Sequence, residues 1–239
     1  MTRLLELFSG TAILSQCAEV KGWKTLTVDN DVKCAPNLVA DISINNDELM
    51  QAIYDFNPHV IWASPPCESF SVASIGTHWG GGHRMYAPRT EQAKRALKLL
   101  TSLANLIEDL DPKVWYIENP RGVMRKVNPY HAIEGTYTTQ VLRHTVTYCQ
   151  YNDDPGISGL PRMKPTDIWT NNLLWEPRPM CKNGAPCHEA APRGAKTGTQ
   201  GRSSYLSRSK LPVDLCYEVL DAAEEQLIAQ KAALQAPCG

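Results

Sequence analysis

Two short polar motifs in this sequence each follow a buried-type apolar run, and each could carry covalent or acid-base chemistry. The run Val60 to Ala63 ends just before Pro65-Pro66, and Cys67 follows at once. Glu118-Asn119-Pro120 comes directly after Val114 to Ile117. Because neighbouring parallel strands end at one edge of a sheet, a nucleophilic thiol and a carboxyl group are expected to meet there.

The elements that must position these motifs alternate between strands and helices. Further strands are predicted at Leu4 to Phe8, Thr25 to Val28, Leu38 to Ala40, His144 to Cys149 and Thr166 to Trp169. Helices are predicted at Ile13 to Val20, Asp47 to Phe56, Thr90 to Leu110 and Leu211 to Ala233. This alternation predicts a doubly wound α/β fold with a mostly parallel sheet.

Polar residues that follow the first strands indicate a nucleotide-binding edge. Ser9-Gly10-Thr11 forms a turn into a helix, and such a turn aims backbone amides at a ligand. A single glycine does not meet the dinucleotide-binding fingerprint. Asp29 and Asp41 follow the next two strands, where each could accept ribose hydroxyls or cap a helix.

The segment from Glu68 to Arg89 has no helical or strand period and contains Gly80-Gly81-Gly82. A loop of this length inside a compact domain is usually a binding loop or a lid. Its place directly behind Cys67 predicts a lid that closes over the substrate.

Composition excludes several classes of protein. The 239-residue chain has no signal-peptide pattern and no apolar stretch of membrane-spanning length, which predicts a cytoplasmic protein without membrane contact. Its eight cysteines are therefore expected to be thiols or metal ligands rather than disulfides. The net charge of -1 argues against a strongly basic nucleic-acid binder.

The charge is nevertheless unevenly distributed. Between Arg178 and Lys210 the chain holds a basic run with the single acid Glu189, and an acidic stretch follows from Asp214 to Glu225. The basic residues are Arg178, Lys182, Arg193, Lys196, Arg202, Arg208 and Lys210. This run is typical of a polyanion-binding face or of a solvated surface loop.

Taken together, the motifs resemble those of the DNA cytosine-5 methyltransferases, over about residues 3 to 170. They appear in the family's order: Phe8-Ser9-Gly10, Asp29-Asn30-Asp31, Asp41-Ile42, Pro65-Pro66-Cys67, Glu118-Asn119-Pro120 and Arg162-Met163-Lys164. The resemblance implies the Rossmann-like fold of class I S-adenosylmethionine-dependent methyltransferases. It also implies that the enzyme transfers the methyl group of S-adenosylmethionine to C5 of cytosine.

The resemblance gives the catalytic motifs specific roles. Cys67 would add to C6 of the cytosine, and Glu118 would hold a proton at N3 and bond the exocyclic amine. Asn119 would brace the Pro-Cys loop. Arg162 and Lys164 would bond the O2 atom of the base or a neighbouring phosphate.

The remaining expectations concern the cofactor and the partner. The cofactor-binding residues implied by the resemblance are Phe8, Ser9, Gly10, Thr11, Asp29, Asn30, Asp41, Ile42 and Pro65. The first four would wrap the methionine end, Asp29 would bind the ribose, Asn30 would lie near the adenine, and Asp41 with Ile42 would read its amino edge. The partner is double-stranded DNA, from which the base must be flipped, and the enzyme is expected to be a monomer.

The chain departs from the family at Lys164 and in the region after residue 170. We predict a catalytic domain over residues 1–170, a short recognition segment over 171–210, and a helix over 211–239 that packs back on the domain. Lys164 stands where the family has a second arginine, so bidentate contacts there are lost. So short a recognition segment resembles small phage or prophage enzymes of bacterial cells, including those of restriction-modification systems.

Four residues suit a metal site. Cys149, Cys181, Cys187 and His188 could bind a structural zinc ion that organises a loop too small for its own core. The alternative is free thiols in a loop.

Other readings of the same residues stay open. Cys67 could be a small buried residue, and Glu118 could be a surface ion-pair partner. The same chemistry could act on RNA or transfer a carboxymethyl group. A catalytically silent nucleic-acid-binding module would keep the fold without the reaction.

Overall fold

The computed structural model describes residues 1–44, 46–81, 86–127, 141–152, 159–189 and 205–235. The strands are β1 (Arg3–Leu7), β2 (Lys24–Asp29), β3 (Leu38–Val39), β4 (Val60–Ala63), β5 (Trp79–Gly80), β6 (Ala87–Pro88), β7 (Val114–Pro120), β8 (Leu142–Thr147) and β9 (Pro165–Thr170). The helices are α1 (Ile13–Val20), α2 (Asp47–Phe56), α3 (Ile75–His78), α4 (Glu91–Leu110), α5 (Met124–Val127), α6 (Tyr205–Ser209) and α7 (Val213–Gln235).

Seven of these strands form one sheet in the order β3-β2-β1-β4-β7-β9-β8. The pairs that join β3, β2, β1, β4 and β7 are all parallel. β9 is antiparallel to both of its neighbours, β7 and β8. The predicted doubly wound, mostly parallel sheet is confirmed, and the reversal of strand order between β1 and β4 opens a crevice at their carboxyl ends.

Alternating residues of the central strands bury side chains on both faces of the sheet. On β1, Leu4 lies in the core beneath α1 and α7, whereas Leu5 and Leu7 lie in the core beneath α2 and α4. All three leucines are fully buried. A strand covered on both sides needs apolar residues throughout, which explains the continuous apolar runs in the sequence.

Helix termini follow local capping rules. The side chain of Asn46 accepts a hydrogen bond from the amide of Leu49 at the start of α2, and Thr90 accepts one from Ala93 at the start of α4. Both helices end in a left-handed residue, Asn57 and Asp111 respectively. The helices α2 and α4, which cover one face of the sheet, are therefore fixed by their own flanking residues.

β7 ends at Pro120 as the sequence predicts, because β9 pairs with it from Tyr116 to Pro120 after β4 has ended. The expectation for the segment from Glu68 to Arg89 was wrong in detail, since this segment is not without structure. It holds a 3₁₀ turn, the short helix α3 and the hairpin of β5 and β6, and residues 82–85 lie outside the described part.

The beginning of that segment is anchored in the core. Phe70 and Trp79 are buried and stack with their ring centroids 5.9 Å apart. The carbonyl of Phe70 accepts a hydrogen bond from the amide of Val123, and a Cβ on Gly122 would come within 2.2 Å of that carbonyl. Glycine is needed at position 122 because the two backbones approach so closely. Closure of the segment from Glu68 to Arg89 over a substrate stays a prediction.

The closing helix α7 packs on α1. Lys21 bonds Asp221 at 2.5 Å and Glu224 at 3.0 Å, and the hydroxyl of Tyr116 donates to the carbonyl of Val219. The helix therefore covers the central strands from one side. Among the described residues, no helix combines the length and apolar character that a membrane span requires.

Candidate active site

The loop that carries Cys67 is held by backbone and amide contacts. The amide of Ser64 donates to the carbonyl of Leu7, and those of Phe70 and Ser71 both donate to the carbonyl of Cys67. The side-chain amide of Asn119, fully buried, donates to the carbonyl of Pro65 at 2.9 Å. β4 and β7 are adjacent, so their motifs meet at one edge as the sequence predicted.

Glu118 lies in a buried polar contact with two residues of later strands. The hydroxyl of Tyr148 donates to Glu118 Oε1 at 3.0 Å, and Lys164 Nζ lies 3.7 Å from the same oxygen. Lys164 Nζ is also 3.3 Å from the Tyr148 hydroxyl and 4.5 Å from the centre of its ring. A buried carboxylate is thereby paired with a cation and a hydroxyl donor.

The charges of this group act on the Cys67 thiol. Burial raises the pKa of Cys67 to about 11, the nearby ammonium group of Lys164 lowers it, and Glu118 raises it further. The thiol is therefore protonated at neutral pH in the free protein, and Lys164 favours its thiolate. Burial and the Glu118 carboxylate also raise the pKa of Tyr148, so its hydroxyl remains a proton donor.

Lys164 is held in an uncommon backbone conformation, with a φ of 25°. L side chains rarely adopt such an angle, and strain of this kind persists where surrounding contacts fix a residue. The contacts of Lys164 with Glu118 and Tyr148 are of that kind.

Arg162 is directed at backbone carbonyls. Its guanidinium donates to the carbonyls of Ser207, Arg208 and Lys210 at 2.7 to 3.1 Å. It also lies 5.2 Å from the Tyr148 ring centre and is 1% exposed. These contacts hold the end of α6 and Lys210, which follows it. The predicted contact of Arg162 with the base stays a prediction.

A cavity of about 460 Å³ lies beside this edge of the sheet. Five of the predicted cofactor residues line it, namely Phe8, Asp29, Asn30, Asp41 and Ile42. Pro66, Glu68 and Ser69 form another part of its wall. The cavity therefore borders the same short loop that carries Cys67.

The turn after β1 is fixed by Asp29. Its carboxylate accepts hydrogen bonds from the amides of Gly10 and Asp31, each at 2.9 Å. Phe8 and Gly10 have φ values of 57° and 49°. The Ser9 hydroxyl is buried and has no partner within the described ranges, so it can bond a ligand atom.

Behind this turn, Glu6 fixes the start of α1. Its Oε2 accepts hydrogen bonds from both the amide and the hydroxyl of Ser15, and the side chain is buried. Burial raises the pKa of Glu6 to about 7, and the bonds from Ser15 lower it in part. The Glu6 carboxyl group therefore fixes the first turn of α1, the helix that follows the glycine turn.

Not every predicted cofactor residue reaches the cavity. Ser9, Gly10, Thr11 and Pro65 are absent from its lining. Gly10 acts through its bond to Asp29, and Pro65 through its bond from Asn119.

Sequence reasoning missed several residues. Tyr148 stands at the end of a predicted strand but belongs to no motif, so no sequence pattern indicates its contact with Glu118. The cavity wall also includes Arg95, Ala96, Lys98 and Leu99 of α4, for which the sequence predicts a helix but no part in the site.

The four predicted metal ligands, Cys149, Cys181, Cys187 and His188, lie together, and their candidate ligand atoms are all within 4.8 Å of one another. The basic run from Arg178 to Lys210 is described only in part. Arg178 is paired with Glu218 and Asp214, and Arg193, Lys196 and Arg202 lie outside the described residues.

Comparisons with known proteins match this chain to one family. The family profile described as "C-5 cytosine-specific DNA methylase" matches residues 2–145. A frog virus 3 (isolate Goorha) protein named "Probable DNA (cytosine-5)-methyltransferase" is 29% identical over 236 residues, which are 92% of this chain and 99% of that protein.

Solved structures of methyltransferases are similar in part. The Entamoeba histolytica methyltransferase EhMeth is 13% identical with a TM-score of 0.49, over 80% of this chain and 58% of its own. The S. pombe Dnmt2 methyltransferase is 14% identical with a TM-score of 0.47, over 71% of this chain and 48% of its own. The chain thus spans about half the length of these structures.

Proposed function

The chain belongs to the C-5 cytosine-specific DNA methylase family, and on that premise we propose that it methylates C5 of a cytosine in double-stranded DNA. The observation that carries the proposal is the loop from Pro65 to Ser69. One part of it borders the cavity, and Cys67 stands beside the charged pair of Glu118 and Lys164. A methyl donor and a nucleophile would thus be presented to one base.

The cavity suits S-adenosylmethionine in size and chemistry. About 300 to 1,000 Å³ is usual for a pocket that binds a small molecule, and this cavity is about 460 Å³. Asp29 and Asp41 offer carboxylate oxygens for ribose hydroxyls and for an adenine amino group. When bound, the cofactor supplies an electrophilic methyl group.

The thiol of Cys67 would form a bond to C6 of the cytosine, after loss of its proton. Electron density then moves toward N3 and makes C5 nucleophilic. Glu118 would hold a proton at N3, where charge develops, and bond the exocyclic amine. After the methyl group has been transferred, a base removes the C5 proton, the double bond between C5 and C6 forms again, and the bond from C6 to sulfur breaks to release Cys67 as a thiolate.

Lys164 and Tyr148 would adjust the two reacting groups. The ammonium group of Lys164 favours the thiolate of Cys67 and lies 3.7 Å from Glu118. Tyr148 donates to one oxygen of Glu118, which orients the other oxygen for the base. Asn119 would keep the thiol in place through the carbonyl of Pro65.

The finer expectations about partners belong to the same proposal. The family supports DNA as the substrate, and we propose that this DNA is double-stranded. In a duplex the base is stacked, so it must be flipped before a thiol can reach C6. A monomeric enzyme, a phage or prophage origin and a role in restriction-modification are proposed from the short recognition segment. None of the steps above needs a metal, so a zinc ion at the cluster of Cys149 would be structural.

Covalent trapping tests the reaction. Duplex DNA that contains 5-fluorocytosine, incubated with the wild-type protein and S-adenosylmethionine, should give a stable protein–DNA adduct, because fluorine at C5 prevents release of the thiol. Cys67→Ser should give none. Cys34→Ser, which removes a half-buried thiol outside the site, should form the adduct at the wild-type level.

The outcomes separate the alternatives. An adduct only with 5-fluorocytosine in RNA would replace the DNA substrate by RNA. Binding of duplex DNA without any adduct would favour the silent module. Mass spectrometry of the product made from ordinary cytosine distinguishes a methyl from a carboxymethyl group.

A further inference from the structure

The cysteine and histidine cluster joins two separate parts of the chain. Cys149 lies in the 3₁₀ turn Tyr148–Tyr151 that follows β8, whereas Cys181, Cys187 and His188 lie in the segment after β9. All four candidate ligand atoms lie within 4.8 Å of one another. His188 is 4% exposed, and Cys149 is 7% exposed.

The distances are close to those of a tetrahedral zinc site. Zinc binds sulfur at about 2.3 Å and nitrogen at about 2.0–2.1 Å, so neighbouring ligands lie about 3.5 to 3.8 Å apart. His188 Nδ1 lies 3.5 Å from Cys181 Sγ and 3.6 Å from Cys187 Sγ. The two sulfur atoms of Cys181 and Cys187 are 3.2 Å apart, a few tenths of an ångström short of that spacing.

Adjacent positions in the sequence do not prevent this geometry. Cys187 and His188 are neighbours in the sequence, yet Cys187 Sγ and His188 Nδ1 lie 3.6 Å apart, close enough to bind one ion. Three thiols and one imidazole are a ligand set that structural zinc sites use.

Polar groups around the cluster also suit metal-bound thiolates. The side-chain amide of Gln150 lies 3.9 Å from Cys149 Sγ and 3.7 Å from Cys187 Sγ, within reach of N–H to sulfur hydrogen bonds. The amide of Cys181 donates to the hydroxyl of Thr147 at 2.8 Å. Such outer contacts orient metal ligands.

The segment that supplies three of the ligands is anchored in the core in its first part, where Asn171, Asn172 and Trp175 are buried. From Asn171 to Glu189 it forms turns and extended chain but no helix or strand. Arg178 holds its middle through Glu218 and the carbonyl of Gln150. Met180 is 41% exposed, so the part from 180 to 189 lacks an apolar anchor of its own.

We propose that Cys149, Cys181, Cys187 and His188 bind one zinc ion, which fastens the segment 180–189 to the end of β8. The metal compensates for an absent core, as it does in small metal-dependent units. Its ligand Cys149 follows Tyr148 in the sequence, so the metal ties the segment to the turn that carries a partner of Glu118. This inference concerns metal content and does not depend on the proposed reaction.

Metal analysis of the untagged full chain, purified without chelators, tests the proposal. The wild-type protein should contain about one zinc ion per chain, and Cys181→Ser and Cys187→Ser about one fifth of that or less. Cys34→Ser, whose thiol lies outside the cluster, should keep the wild-type content. A zinc-free wild-type protein, full zinc content in both ligand variants, or a Cys181–Cys187 disulfide in the purified protein would each overturn the proposal.

A second measurement uses the wild-type protein and therefore does not depend on whether the cysteine variants fold. Wild-type protein reconstituted with cobalt(II) should show a sulfur-to-cobalt charge-transfer band and the visible bands of tetrahedral cobalt. A spectrum of six-coordinate cobalt without a sulfur band would contradict the ligand set. Removal of the metal should also raise the rate of proteolytic cleavage within 180–189 by about tenfold, and an unchanged rate would contradict the fastening role.

Discussion

The two sides of the active site are built over different distances along the chain. On the cofactor side, Asp29 receives its hydrogen bonds from Gly10 and Asp31, and these groups follow the first two strands. On the catalytic side, Glu118 is bonded by Tyr148 and paired with Lys164, which come from the region of β8 and β9. The cofactor side follows from neighbouring strand ends, and the catalytic side depends on the antiparallel pair that completes the sheet.

This difference has a chemical consequence. The cofactor side carries the acids Asp29 and Asp41 at its wall, and the fold of β1 to β3 places both at strand ends. The catalytic side controls a thiol and a carboxylate by buried charge, which requires particular side chains. Substitutions on one side should therefore leave the other side nearly unchanged.

The largest expected effect concerns the pH dependence of the Cys67 thiol. Because burial raises its pKa to about 11, the thiolate fraction should rise about tenfold per pH unit, or about 100-fold from pH 7 to pH 9. The rate at which iodoacetamide alkylates Cys67, followed by mass spectrometry of its peptide, should continue to rise between pH 9 and pH 10. A free thiol of ordinary pKa levels off in that range.

The variant Lys164→Met sharpens this test. Without the ammonium group, the pKa of Cys67 should rise further, so alkylation should be slower than in the wild type at each pH. Lys94→Met, which removes an exposed ammonium paired with Glu91, serves as the control and should not change the rate. A rate that is constant above pH 9, or unaffected by Lys164→Met, would show that the catalytic side does not control the thiol by charge.

A smaller effect is expected on the cofactor side from Asp29→Ala. The change removes an acceptor for the ribose and leaves the amides of Gly10 and Asp31 without their partner. The KM for S-adenosylmethionine should rise about 30-fold while kcat falls less than about threefold, as expected for loss of a hydrogen bond to a charged group.

Asp31→Ala is the matched control, since within the described part of the chain its carboxylate accepts a hydrogen bond from the amide of Lys33 and lies outside the cavity wall. Its KM for S-adenosylmethionine should stay within about twofold of the wild-type value. Steady-state kinetics with labelled cofactor measures both variants. A fall in kcat at unchanged KM for Asp29→Ala would show that the two sides are not separable.

The smallest effect should come from Tyr148→Phe. The ring stays in contact with Lys164 and Arg162, but Glu118 loses one hydrogen bond. We expect kcat to fall about tenfold, with the KM for S-adenosylmethionine unchanged and the pH profile of kcat displaced.

Tyr151→Phe controls for the loss of a buried hydroxyl in the same turn, since that hydroxyl donates to Glu218 instead. Its kcat should stay within about twofold of the wild-type value. If both tyrosine variants lose activity equally, with the same pH profile as the wild type, Tyr148 has only a structural role.

Much of the fold follows from local sequence. The apolar runs Leu4 to Leu7 and Val60 to Ala63 are strands because both faces of the sheet are covered, and the turn and cap residues lie where helices begin. The motif Glu118-Asn119-Pro120 was placed at the correct edge and at the end of its strand. No local pattern could show that β9 would extend the pairing to Pro120.

The sequence by itself determined the order of strands and helices, the thiol at Cys67, the carboxyl group at Glu118 and the acids Asp29 and Asp41. Each of these depends on residue type and on its position after an apolar run. Only the tertiary structure decided that Tyr148 and Lys164 contact Glu118, that Arg162 bonds the carbonyls of 207–210, and that Cys149 meets Cys187 and His188. Such contacts join residues tens of positions apart, and their geometry depends on how β8 and β9 pair with the parallel strands.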